Sequence, residues 1–208
     1  MGTCYIVGAA DAAGTQIELS AIKNDDCVIA ADGGYLTLQK WRIKPDQIIG
    51  DFDSLESVPT GENVARYPSE KDDTDMMIAV KLGLEKGYRQ FMIYGGLGGR
   101  LDHTVANLHV LDYLIQHDAR GCLVGKDERV FLIKDEQFSF DADVKGVISI
   151  FAYGGEARGV YLKGLKYPLQ DATLTTDFPI GVSNEFVGQK SDISVRNGRL
   201  LIILPKIQ

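Results

Sequence analysis

Short apolar runs separated by amphipathic stretches organise the first half of the chain. Tyr5-Ile6-Val7, Val28-Ile29-Ala30, Gln47-Ile48-Ile49 and Phe91-Met92-Ile93-Tyr94 are continuous rather than alternating. That is the pattern of strands buried on both faces of a parallel sheet. Between them the period lengthens. From Asp72 to Lys86 the residues Met76, Ala79, Val80 and Leu84 recur at helical spacing. From His103 to His117 the residues Val105, Leu108, Leu111, Leu114 and Ile115 do the same. Strands alternating with helices predict a mostly parallel sheet covered on both faces, with Gly121-Cys122-Leu123-Val124 as its last strand.

Beyond Gly125 the texture changes. The segments 129–133, 138–140, 147–153, 159–162, 172–175, 181–187, 193–195 and 200–204 are short and β-branched or alternating, with no helical period. Tyr153-Gly154-Gly155 and Arg196-Asn197-Gly198-Arg199 mark turns, and Asn-Gly between apolar runs predicts a hairpin. Many short strands without a helix form a sandwich or a barrel. The pattern therefore predicts two domains, α/β over residues 1–124 and all-β over residues 125–208.

Charge and cysteine content narrow the partners. A formal net charge of −7 argues against a nucleic-acid backbone or an anionic membrane as the main partner. It leaves a nucleotide open, because a bound cation reverses the local field. Cys4, Cys27 and Cys122 lie in or beside apolar runs, lack metal-ligand spacing, and read as small core residues in a reducing compartment. The first residues carry no basic leader or cleavage pattern, and no apolar segment approaches ~20 residues. The expectation is a cytoplasmic protein.

Three clusters carry the chemistry. Gly50-Asp51-Phe52-Asp53-Ser54 follows the Ile48-Ile49 run, where ligands bind in a parallel sheet. In an extended segment Asp51 and Asp53 would share one side. The alternative is a turn with solvated acids, or a helix cap at Ser54. Asp32-Gly33-Gly34 ends the preceding strand in the same way. Lys71-Asp72-Asp73-Thr74-Asp75 opens the first helical pattern, and Asp72 and Asp75 are spaced to share a face. Acids there also serve as ordinary capping groups. Asp73 reads as solvated. Gly95-Gly96-Leu97-Gly98-Gly99-Arg100-Leu101-Asp102-His103 joins a strand to a helix, where a phosphate cradle belongs. It lacks the lysine of a Walker A loop, and Leu101 stands where Gly-x-Gly-x-x-Gly needs its third glycine. His109 and His117 read as surface or packing residues. Carboxylates suit Mg²⁺, a hard cation that takes oxygen ligands and substrate phosphates. In the second domain, Ser183 and Asn184 offer a hydroxyl and an amide for a heterocycle or a hydroxyl, or simply cap a turn. By themselves these residues describe a Mg²⁺–nucleotide enzyme. A nucleotide-sugar transferase and a non-catalytic nucleotide sensor remain open.

Taken in order, the motifs resemble those of the thiamine pyrophosphokinase (thiamine diphosphokinase) family. The resemblance runs through Ala31-Asp32-Gly33-Gly34, Pro45 to Ser54, Lys71-Asp72-x-Thr74-Asp75 and Gly-Gly-x-Gly-Gly-Arg-Leu-Asp-His. It continues in Gly164-Leu165-Lys166-Tyr167-Pro168-Leu169 and Ser183-Asn184-Glu185-Phe186. It implies an α/β nucleotide-binding catalytic domain followed by a jelly-roll-like β-sandwich that binds thiamine. It also implies a homodimer whose active site joins the first domain of one subunit to the second domain of the other. The implied reaction is ATP plus thiamine giving AMP plus thiamine diphosphate, with Mg²⁺. Asp51, Asp53, Asp72 and Asp75 would then hold Mg²⁺ and orient the thiamine hydroxyl, and Arg100 and Lys71 would stabilise charge on the transferring oxygens. Asp32 and the loop containing Gly96, Gly98 and Gly99 would line the nucleotide and phosphate path, with His103 beside it. Asp102, Ser183 and Asn184 would contact thiamine or the nucleotide. The sole tryptophan, Trp41, lies in the first domain, which leaves Tyr167 or Phe186 to stack on thiamine.

Overall fold

In a computed structural model of the chain, residues 2–205 are described except 11, 13, 18, 54–59, 69 and 71. The chain divides into two compact units, Met1–Lys126 and Asp127–Gln208.

The first unit is built on β1 (Thr3–Val7), β2 (Cys27–Ala31), β3 (Gln47–Gly50), β4 (Val64–Arg66), β5 (Gln90–Tyr94) and β6 (Arg120–Val124). Their order is β6-β5-β1-β2-β3-β4, and every pairing is parallel. Three helices connect them: α1 (Gly34–Trp41), α2 (Asp75–Glu85) and α3 (Leu101–Gln116). The continuous apolar runs are mostly buried, with all five residues of β2 buried and Gln47 and Met92 only partly so. Each fully buried isoleucine or leucine contributes roughly 1.5–3 kcal/mol, so Ile6, Ile29, Ile49 and Ile93 anchor the sheet.

The helices depart from the periodic reading. The helix α1 was not marked by pattern, because it opens on a glycine and spans only eight residues. It stops where Arg42 turns left-handed. The helix α2 starts at Asp75 rather than Asp72, because Thr74 is its N-cap and its hydroxyl accepts from the Met77 N–H at 3.2 Å. Asp72 therefore lies before the helix. Its neighbour Asp73 is not simply solvated. It pairs with Lys81 at 2.6 Å and pushes that ammonium's pKa up through the hydrogen bond. The inward face of α2 includes Gly83, where a Cβ would stand 2.6 Å from the Phe91 ring. In α3 the buried positions are Asn107, Val110, Leu111 and Leu114, whereas Val105 is exposed. The helix begins at Leu101, two residues before the expected start, and the face it buries runs through Asn107 and Val110 rather than Val105.

The second unit contains β7 (Glu128–Lys134), β8 (Gln137–Phe140), β9 (Val147–Ala152), β10 (Ala157–Lys163), β11 (Leu169–Leu174), β12 (Asn184–Glu185), β13 (Ser191–Ser194) and β14 (Arg199–Pro205). They form two antiparallel sets, β12-β9-β14-β7 and β11-β10-β13-β8. That strand order is the eight-stranded jelly roll. One core, including Ile150, Val160, Leu162, Ile193 and Ile202, lies within the unit.

Two local expectations fail here. Asn197-Gly198 is a turn but not a hairpin. Strand β13 pairs with β8 and β10, whereas β14 pairs with β7 and β9, so the chain changes sheets at this turn. The turn is held from outside, because Asp135 Oδ1 accepts from the Gly198 N–H at 2.7 Å. The segment 181–187 contributes only the two-residue β12. Ser183 is left-handed (φ 57°) just before it, which ends any extended run.

Candidate active site

The strand order of the first unit has one reversal. From β1 the chain moves to β2, β3 and β4 on one side, then returns to place β5 on the other. In an open α/β sheet, ligands bind beyond the strand C-termini at such a switch point. A cleft lies there, lined by Gly8 to Ala10 after β1, Asp32 after β2, Thr74 and Asp75 at the start of α2, Gly95, Gly96 and Gly98 after β5, and His103 and Asn107 on α3.

Backbone contact shapes its floor. The Gly8 N–H donates to Tyr94 O at 2.8 Å, and the Ala10 N–H to Gly95 O at 3.1 Å. A Cβ on Gly8 would stand 2.8 Å from Gly95 O and 2.7 Å from the Met76 methyl carbon. Only a residue without a side chain lets these loops close on each other. Asn107 completes the floor by donating from Nδ2 to Gly96 O at 2.7 Å. Gly98 and Gly99 are left-handed and open to solvent on the Cβ side.

Of the residues marked from sequence, the cleft brings together Asp32, Asp75, Gly96, Gly98 and His103. Asp32 holds a strained left-handed backbone (φ 48°), and its N–H donates to Ile49 O at 2.7 Å. Asp75 buries one carboxylate oxygen from solvent. Asp51, Asp53, Asp72, Gly99, Arg100 and Asp102 are not on the lining, and Lys71 and Ser54 fall outside the described residues. Ser183 and Asn184 belong to the second unit. Gly8 to Ala10 and Asn107 were missed. The strand-end rule could have marked the first, since Gly8 directly follows β1. Nothing in an apolar helical period marks the second.

The Asp-Phe-Asp segment is not extended. Phe52 is left-handed (φ 62°) and only 1% exposed, packed in the core of the first unit. Around it the Asp53 N–H donates to Asp51 Oδ1 at 3.0 Å, the closure of an Asx turn. The outer carboxylate of Asp53 stands 3.7 Å from Arg66. The buried ring thus pins the turn and leaves both acids near the surface.

At the start of α3, Arg100 grips Asp102 through Nε–Oδ1 at 3.2 Å and Nη2–Oδ2 at 2.6 Å. The guanidinium bond holds the Asp102 carboxyl below its usual pKa, and the carboxylate raises Arg100 in turn. Both side chains are mostly exposed. Exposed pairs are weak, so an arriving phosphate can compete for the guanidinium.

In the second unit the Asn184 amide is buried and engaged. Its Oδ1 accepts from the Tyr167 and Glu185 N–H groups, and its Nδ2 donates to Tyr167 O at 2.7 Å. It brackets the Tyr167 turn, while Ser183 beside it is exposed.

Among the described residues, no group of three or more His, Cys, Asp or Glu side chains stands ready to hold a metal. The four carboxylates expected to share a cation are thus not drawn into one cluster. Asp32 and Asp75 on the cleft wall still supply hard oxygen donors. Mg²⁺ needs only one or two carboxylates when phosphates and waters complete its shell, so the residues fit that cation arriving with a nucleotide.

Comparisons with known proteins agree with one another. The family model for the thiamin pyrophosphokinase catalytic domain matches residues 19–123, and that for the thiamin pyrophosphokinase vitamin B1 binding domain matches residues 135–200. A thiamine pyrophosphokinase of Bacillus subtilis is 29% identical over 184 residues, spanning 84% of this chain and 85% of that protein. The crystal structure of thiamine pyrophosphokinase from Bacillus subtilis superimposes with a TM-score of 0.85 at 25% identity, covering 97% of each chain. That of thiamin pyrophosphokinase from Geobacillus thermodenitrificans gives 0.81 at 25% identity, covering 99% of this chain and 98% of that one. With both domain models matched in order, the first of them across half of this chain, the chain belongs to the thiamine pyrophosphokinase family.

Proposed function

We propose that the protein transfers the diphosphoryl group of ATP to the hydroxyl of thiamine, releasing AMP and thiamine diphosphate. The observation that carries this reading is the cleft at the β1/β5 reversal. There a glycine loop, two carboxylates and a histidine converge, with Arg100 at the adjacent helix start. Phosphoryl-type transfer needs mainly positioning and charge neutralisation, and those groups suit both.

In this reading the first unit takes the nucleotide and the second takes thiamine. Asp32 and Asp75 would hold Mg²⁺ with the substrate phosphates, with Asp51, Asp53 and Asp72 completing the acidic rim. Bound Mg²⁺ would neutralise charge on the phosphate oxygens. One of these aspartates orients the thiamine hydroxyl and accepts its proton, directly or through water. Arg100, released from Asp102, stabilises charge on the transferring oxygens, with Lys71 as its partner in that role. The backbone around Gly96, Gly98 and Gly99 cradles the phosphates, and His103 borders them. Ser183 contacts thiamine.

The protein is proposed to act as a cytoplasmic homodimer with sites shared between subunits. Exposed apolar residues on the second unit, including Phe178, Ile180 and Val182, support such a contact. No helix of the described residues is long and apolar enough to cross a membrane. Sedimentation showing only monomer across micromolar concentrations would remove the dimer from this account.

The deciding experiment incubates purified protein with MgATP, with and without thiamine, and separates the products. Thiamine-dependent AMP matching thiamine diphosphate one for one is expected. ADP with thiamine monophosphate would make it an ordinary kinase. Absence of thiamine-dependent turnover would end the proposal.

A further inference from the structure

Asn107 is a polar residue on the buried face of α3, 7% exposed, at a position where the helical period calls for an apolar side chain. Its amide orientation follows from its bond to Gly96. Gly96 O can only accept, so the nitrogen must face it, at 2.7 Å. The Oδ1 then points away from the loop. Among the described residues no donor reaches that oxygen, and Asn107 forms part of the cleft lining. That oxygen is not among the buried side-chain atoms lacking a partner, so solvent reaches it from the cleft, and a ligand N–H or O–H can take the place of that water.

Resting on the nucleotide reading above, we infer that Asn107 Oδ1 accepts a hydrogen bond from the nucleoside part of the substrate, a sugar hydroxyl or a base amino group, and so sets nucleotide specificity. Phosphate oxygens are excluded from this position because they are themselves acceptors. A cation is drawn instead to Asp32 and Asp75 in the same cleft, whose carboxylates carry full charge. The nucleoside and phosphate ends of the cleft are thereby distinguished. Asn107 meets the donor-bearing end, and the loop N–H groups with Arg100 meet the phosphates. Because the same amide holds Gly96 O, seating the nucleoside and setting the glycine loop are coupled through one side chain.

The test measures binding to the full-length protein by calorimetry, with Mg²⁺ and without thiamine. The probes are ATP, its 2′-deoxy and 3′-deoxy analogues, and inosine triphosphate, which carries an oxo group in place of the 6-amino group. The expected result is that one analogue binds at least ~10-fold more weakly than ATP, as for a site built to pair with a donor that is then missing. Loss confined to a deoxy analogue assigns the sugar, and loss confined to inosine triphosphate assigns the base. Asn107→Leu should bind ATP as weakly as that analogue and no longer tell the two apart. Should the leucine variant not fold, Asn107→Ser, too short to reach the ligand, replaces it. All four nucleotides binding within twofold of one another would overturn the inference, as would discrimination surviving in the variant. Discrimination by Asn107 without thiamine-dependent turnover would leave the inference standing and sink the proposed reaction. Failure of every nucleotide to bind would sink both.

Discussion

Phe52 shows how a buried side chain can place its polar neighbours. Its ring is in the core while its backbone occupies the left-handed region, which is costly for a residue with a Cβ. The strain persists because burial of the ring outweighs it. Phe52→Ala should therefore lower unfolding free energy by about 3 kcal/mol, read as a reduced urea midpoint at unchanged slope. A loss under ~1 kcal/mol would mean that the ring does not anchor the turn. Asp53, held outside that anchor, should behave in the opposite way. Asp53→Asn is expected to leave the urea midpoint unchanged and to cut turnover at least ~100-fold, the loss typical of a key electrostatic group. Near-normal turnover in the folded variant would remove Asp53 from the active site. Their place after a strand marks these acids as candidates in the sequence. The sequence did not show that the residue between them is what turns them outward, because a left-handed φ at Phe52 is imposed by the core.

Helix boundaries decide which acids face the cleft. Thr74 caps α2 and so sets Asp75 as its first residue and Asp72 as a residue of the approach. Thr74→Ala should cost about 1 kcal/mol, measured by thermal or urea unfolding, and should weaken MgATP binding because Thr74 also lines the cleft. A variant with wild-type stability would show that the capping bond contributes nothing. The periodicity of Asp72 to Lys86 announced this helix, but an acid-rich lead-in fits either a first turn or a cap. Only the Thr74–Met77 hydrogen bond separates them. The buried face of α3 has a larger consequence, since it holds Asn107 and leaves Val105 exposed. Beginning at Leu101 requires Arg100 to serve as an N-cap without a side-chain capping bond, and no residue type signals that.

At the scale of the whole molecule, composition and pattern made the α/β and all-β halves legible, and the strand-end rule put the acidic and glycine motifs on one edge. Cys4 and Cys27 bear out their reading as core residues, whereas Cys122 is only partly buried. Cys4 and Cys27 are register partners on β1 and β2, both buried. The hydrogen bond between the two thiols, followed by burial, pushes the Cys4 thiol far above its ordinary pKa. Since the thiolate is the reactive form, iodoacetamide should modify Cys4 at least ~100-fold more slowly in native protein than in urea, as local opening would have to precede reaction. Rapid native labelling located at Cys4 by mass spectrometry would contradict the buried pair.

What the sequence determined by itself was local and chemical. Continuous apolar runs dictate buried parallel strands, and helical spacing dictates amphipathic helices. Carboxylates and glycines at strand ends mark a candidate site, of the residue types that suit a cation and phosphates. These follow from neighbouring residues, so they can be read along the chain. Only the tertiary structure decided what depends on distant residues. The reversal between β1 and β5 joins Gly8 to Tyr94 and Ala10 to Gly95, and so makes the cleft. The change of sheet at Asn197-Gly198 turns an expected hairpin into a jelly-roll crossing. The amide of Asn107 is oriented by a carbonyl eleven residues away. Each of these is set by long-range packing and backbone pairing, which the order of residue types does not encode locally.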